Sequence, residues 1–135
     1  MKLLTKSFLI LLIAILLPAF SPQNNINDLL LGKWNMEQVV QGGEDVTGFH
    51  NPYQERWILF NENNTFISEG RPYSKNTGIW KLNLETNELS LINDSETSKD
   101  SYWIVSFPDS NKMIWEGARS EYTKDFRIYY SRGDL

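Results

Sequence analysis

Leu31-Gly32-Lys33-Trp34-Asn35-Met36-Glu37-Gln38-Val39-Val40 is the stretch whose reading decides the fold. From Trp34 onward it alternates as a strand does, with Trp34, Met36, Gln38 and Val40 on one face and Asn35, Glu37 and Val39 on the other. Ahead of it, Asn27-Asp28 offers cap side chains for one helical turn through Leu29-Leu30, and Gly32 is free to take the left-handed conformation that ends such a turn. A turn that stops at glycine and delivers a tryptophan into the first strand is suited to closing the floor of a small β-barrel.

Working outward, the chain supplies seven more strand-like runs: Glu55 to Phe60, Thr65 to Glu69, Thr77 to Leu84, Glu88 to Ile92, Ser101 to Phe107, Lys112 to Gly117 and Asp125 to Arg132. Short turns rich in Asn, Asp and Ser alternate with longer polar connections such as Gln41 to Pro52, Gly70 to Asn76, Asn93 to Asp100 and Ala118 to Lys124. No gap is long enough for a helical crossover between parallel strands. The expectation is therefore all-β: an eight-stranded antiparallel up-and-down barrel, with short turns at one end and long loops round the mouth at the other. Parity puts Ile58 and Phe60, Phe66 and Ser68, Gly78, Trp80 and Leu82, Leu89 and Leu91, Trp103, Val105 and Phe107, Met113, Trp115 and Gly117, and Phe126, Ile128 and Tyr130 on inward faces. It leaves the sides taken by Trp57 and Tyr129 open.

The first 21 of the 135 residues are expected to be a signal peptide, because Lys2 and Lys6 precede the uncharged apolar run Phe8 to Leu17 and the small residues of Pro18-Ala19-Phe20-Ser21. That run is short for a membrane span. Residues 22–135 then form one exported domain with no membrane span, periplasmic or extracellular. The sequence has no cysteine, which removes disulfides, thiolate metal sites, a cysteine nucleophile and the lipid-bearing cysteine of a bacterial lipoprotein. Thirteen Lys and Arg stand against 17 Asp and Glu, a net charge of −4, and the loss of Lys2 and Lys6 would leave the domain at −6. Such a surface repels phosphate backbones, so nucleic acid is not expected as a partner.

Gly32-Lys33-Trp34 after a helical turn resembles the G-x-W signature of lipocalins, in which the tryptophan plugs the closed end and an arginine from the last strand packs across its ring. Arg132 stands where that arginine belongs. Ile58-x-Phe60, Asn64-Thr65-Phe66, Asn76-Thr77-Gly78-x-Trp80 and Met113-Ile114-Trp115-x-Gly117 look like the small lipocalin-like domains of exported Bacteroidetes proteins, and the likeness runs from Leu29 to Arg132. The family's T-D-Y motif has no counterpart, since Pro108-Asp109-Ser110-Asn111 keeps only the aspartate. The resemblance implies that Gly32, Trp34 and Arg132 form the barrel floor and that a small apolar or amphipathic molecule occupies the cup. Met36, Gln38, Phe60, Phe66, Trp80, Trp103, Trp115 and Tyr130 would line it, with Gln38 the polar group that fixes orientation.

Eight strands enclose barely enough room for one small ligand, so a core filled by these aromatics is the rival reading. In that case the mouth loops, carrying Phe49, His50, Tyr53, Pro72, Tyr73 and Tyr122, would dock a protein or glycan. His50, the single histidine, is expected to be a solvent-exposed loop residue, and Asp94-Ser95-Glu96 with Asp100 lacks the glycine and closing glutamate of a calcium loop. Glu55, Glu69 and Glu116 are the carboxylates from which a glycosidase pair would have to come. No nucleophile elbow, zinc-protease motif or phosphate loop is present, so no catalytic residue, metal or cofactor is expected.

Overall fold

The computed structural model describes residues 25–134, so the expected signal peptide at 1–21 lies outside the described residues. Ten-residue β1 (Gly32–Gln41) follows one helical turn, α1 (Ile26–Leu30), capped by the Asn25 side chain, which accepts from the Asn27 amide. β2 (Glu44–Asp45) and α2 (Thr47–His50) come next, then β3 (Trp57–Phe60), β4 (Thr65–Gly70), β5 (Tyr73–Asn83), β6 (Glu88–Asn93), β7 (Ser101–Asp109), β8 (Lys112–Ala118) and β9 (Phe126–Arg132). Antiparallel pairing runs β1-β3-β4-β5-β6-β7-β8-β9, and β9 returns to β1 with Trp34 opposite Arg132. The eight long strands thus close into an up-and-down barrel, while β2 is an appendage folded back on the end of β1.

Two connections differ from a plain reading of their composition. Gln41 to Pro52 is not a simple surface loop: Gly42 and Gly43 adopt positive φ and return Glu44–Asp45 against β1. Asp45 Oδ1 then accepts from the Thr47 amide, and Thr47 Oγ1 accepts from the Val39 amide, which starts the turn of α2. Between β4 and β5 the long loop shrinks to Arg71-Pro72, because Tyr73 to Asn76 continues the strand and Tyr73 pairs with Gly70. This hairpin stands up at the mouth.

The turns 61–64, 84–87 and 110–111 gather at the closed end. There Trp34 is wholly buried, its indole N–H donating 2.8 Å to the Leu30 carbonyl and its ring 5.8 Å from that of Phe107. Phe60 meets Trp80 edge-on at 6.1 Å, and Leu30, Leu89, Val105 and Met113 complete the plug without exposure to solvent. Each such side chain contributes about 1.5–3 kcal/mol of burial free energy, which lets a barrel without disulfides hold its floor. Trp57 and Tyr129, flanked by inward Ile58 and Tyr130, take the outer face, and the Lys33 ammonium lies 4.9 Å from the Trp57 ring.

Parity fails at one place. A bulge between Met36 and Gln38 shifts the register of β1 against β9, so Val39 is buried at 1% exposure and Val40 is not. Gln38, expected inside, instead points to the outer side and donates 2.8 Å to Asp45 Oδ2.

Candidate functional site

Above the plug the barrel is not filled. A cavity of about 330 Å3 opens toward the loop rim. Its base is aromatic: Trp115 lies 4.7 Å from Tyr130 and 5.3 Å from Trp103, ring centroid to centroid, with Phe66, Ile128 and Met36 beside them. Of the residues expected to line the cup, Met36, Phe66, Trp103, Trp115 and Tyr130 meet around it. Phe60 and Trp80 lie lower, in the plug, and Gln38 is outside.

The polar groups come from the mouth. Arg56 precedes inward Ile58 by two residues, so the strand period brings it to the interior face. Its guanidinium carbon sits 4.3 Å from the centre of the Tyr73 ring, and it donates to the His50 carbonyl at 3.3 Å. Asn51, 2% exposed, anchors this corner: its amide nitrogen donates 2.9 Å to the Met36 carbonyl beside the bulge, while its oxygen accepts from the Glu55 and Arg56 amides at 3.1 Å.

His50 is not the solvent-exposed residue its loop position implies. Its ring packs edge-on against Phe126 at 5.3 Å and Phe49 at 5.2 Å, and Nδ1 lies 3.3 Å from the Tyr73 hydroxyl. Desolvation, and secondarily the Arg56 charge, hold its pKa below the usual histidine value, which keeps the ring neutral at pH 7. Burial pushes the Tyr130 phenol well above its ordinary range, opposed by the charge of Arg56.

Across the mouth, Asn76 and Asn93 pair through their side-chain amides, and Asn93 holds the Lys99 carbonyl at 2.5 Å. The Lys99 ammonium rests 3.6 Å from the centre of Tyr122, which belongs to the neighbouring loop. The cavity wall therefore contains Arg56 and Lys99 but no aspartate or glutamate. One donor at its base is unused: the Trp115 indole N–H is buried with no acceptor among the described residues.

The candidate carboxylates do not converge. Glu55 forms a two-point pair with Arg71 at 2.6 and 2.9 Å on the outer rim, Glu116 pairs with Arg127 across exposed β8 and β9, and none of Glu55, Glu69 and Glu116 lines the cavity. Among the described residues no cluster of three or more His, Asp or Glu is placed to hold a metal ion, and no helix is long and apolar enough to cross a membrane. Sequence reasoning missed Val39, because a bulge has no local signature here, and Arg56, whose place two residues before Ile58 was the signal for an inward charge.

No protein-family model and no curated protein matches the sequence. Among solved structures the chain is similar to the crystal structure of a DUF4847 family protein from Bacteroides vulgatus ATCC 8482. Identity is 13%, the TM-score is 0.56, and the likeness covers 81% of this chain and 97% of that one. At that identity the two share a fold.

Proposed function

We propose that this chain is an exported, non-catalytic, lipocalin-like binding protein that holds one small apolar or amphipathic molecule in its barrel. The observation that carries the reading is the cavity of about 330 Å3 between an aromatic base and a polar rim, inside the range of about 300–1,000 Å3 typical of small-molecule sites. The floor supports the lipocalin-like part: Gly32 at φ +101° turns the chain into β1, and the Arg132 guanidinium lies 3.9 Å from the Trp34 ring centre. Export, to the periplasm or beyond, rests on residues 1–21, and the missing cysteine argues against lipid attachment.

Because Trp103 and Trp115 form the cavity base, their emission reports occupancy directly. Titrating fatty acids, retinoids and bile-acid-like compounds should give a saturable fluorescence change with at least one of them at micromolar concentration. Flat traces throughout would overturn the carrier reading.

A second reading has its own observation. Phe49, Tyr53 and Tyr122 are 77%, 56% and 69% exposed round the mouth, and such a rim suits docking to a protein or glycan. Chemical-shift changes confined to these side chains, with the Trp115 indole signal unmoved, would favour it over the carrier.

A further inference from the structure

We infer that the molecule held in the barrel is an amphipathic organic anion whose head group is bound by Arg56, with its apolar body against Trp115, Trp103 and Phe66. The inference rests on the carrier reading and gives it a chemical class.

Charge distribution is the first argument. The chain as a whole is acidic, at −4, yet the cavity wall carries two cations and no carboxylate. His50 is held neutral beside them, so the positive field of the cavity comes from Arg56 and Lys99 alone. A neutral ligand would gain less from this arrangement than an anion, and a cationic one would be repelled.

Preorganisation is the second. Among the described residues Arg56 forms no ion pair, although it is half-buried and several other arginines of the barrel are paired with glutamates. Stacking on Tyr73 and the bond to the His50 carbonyl fix the plane of the guanidinium while leaving most of its donors for another acceptor. A partly desolvated cation held in one orientation binds an oxyanion without the cost of ordering a long side chain. Lys99, braced through Asn93 on the opposite rim, supplies a second, weaker attraction at the entrance.

The third argument is polarity along the cavity axis. Its charged groups, Arg56 and Lys99, lie at the rim and its aromatic surface at the base, so a head-up, tail-down molecule matches both ends. The Trp115 N–H is the sole unpaired side-chain donor found buried among the described residues, and it serves as a site-specific reporter of the tail.

Decanoate, 1-decanol and decylamine share one chain and differ in head charge, so titrating each into the full barrel, followed by tryptophan emission and by the Trp115 indole resonance, isolates the head group. A charge-assisted contact predicts decanoate binding at least about tenfold tighter than 1-decanol, with decylamine weakest. Arg56→Gln should shrink the decanoate preference to within about threefold, and Lys99→Gln should reduce it less. The wild-type comparison stands whether or not Arg56→Gln folds, and thermal melts of the variant settle that point separately. Equal binding of decanoate and 1-decanol, or a preference that survives in folded Arg56→Gln, overturns the inference and leaves the carrier reading standing. Failure of all three probes to move the Trp115 resonance overturns the inference, and the carrier reading falls with it if the retinoid and bile-acid titrations are flat as well.

Discussion

Arg132 closes the barrel on Trp34. Its guanidinium lies 3.9 Å from the indole centre, and the same group donates to the carbonyls of Leu31 at 2.6 Å, Leu29 at 2.8 Å and Ser110 at 3.0 Å. One side chain from the last strand thus satisfies the carbonyl end of α1, ties the turn between β7 and β8, and covers the face of the plug. Burial lowers its pKa somewhat, yet an arginine remains charged throughout the range in which proteins fold.

Removing that group should cost the barrel its floor. Arg132→Ala leaves three carbonyls without their donor and uncovers the indole, an expected loss of about 2–4 kcal/mol. Arg132→Lys keeps charge but not the planar fork, and an intermediate loss of about 1–2 kcal/mol follows. Urea unfolding curves of the two variants measure both values; an Arg132→Lys as unstable as Arg132→Ala would mean that the fork, not the charge, carries the whole effect.

Asn51 should matter as much as a core residue. Asn51→Ala removes one donor and one doubly used acceptor from a site that is 2% exposed, for about 2–4 kcal/mol of lost stability. Because the lost acceptor fixes the Arg56 amide, the variant should also lose discrimination between decanoate and 1-decanol. Equilibrium unfolding and the same titrations test the two effects independently.

What the sequence disclosed and what it hid divide along physical lines. Side-chain parity is local, so the inward sets from Ile58 to Tyr130 could be read strand by strand, and the G-x-W stretch with Arg132 marked the two ends that meet. The bulge after Met36 is not local: it exists only in the register of β1 against β9, and it exchanges Gln38 for Val39 on the inner face. His50 was misplaced for the same reason, since the ring that covers it belongs to Phe126, far along the chain. Whether the aromatic interior was full or hollow depended on how deep Phe60 and Trp80 pack. They sank into the plug and left the space above open.

Acid should weaken the fold through His50. Its folded pKa lies below the unfolded value of 6.5, so the unfolded chain takes up the proton first. The contribution is present in full above pH 6.5 and is lost as pH falls through the folded value. Asp45 and Glu55 are also depressed, from 3.8 and 4.5, so their losses come at lower pH. Between pH 8 and pH 5.5 the urea midpoint of the wild type should therefore fall more than that of His50→Gln. Parallel declines would show that His50 is not the group responsible.

Gly117 sets how closely the loop 119–125 approaches the barrel. A Cβ there would stand 1.6 Å from the Thr123 carbonyl oxygen and 2.2 Å from its carbon, so β8 and the loop backbone must separate before an alanine fits. Overpacking of this kind costs about 2–4 kcal/mol, since backbone rather than a flexible side chain has to move. Thr123 and Tyr122 both border the cavity, so Gly117→Ala should also draw Tyr122 away from Lys99 and widen the mouth. Gly48, inside α2, is the internal comparison: a Cβ meets nothing within 4 Å, and alanine should stabilise the turn by about 0.5–1 kcal/mol. Thermal melts of the two variants should shift in opposite directions. If Gly117→Ala melts with the wild type, the loop yields without cost and its contact with β8 does not define the cavity wall.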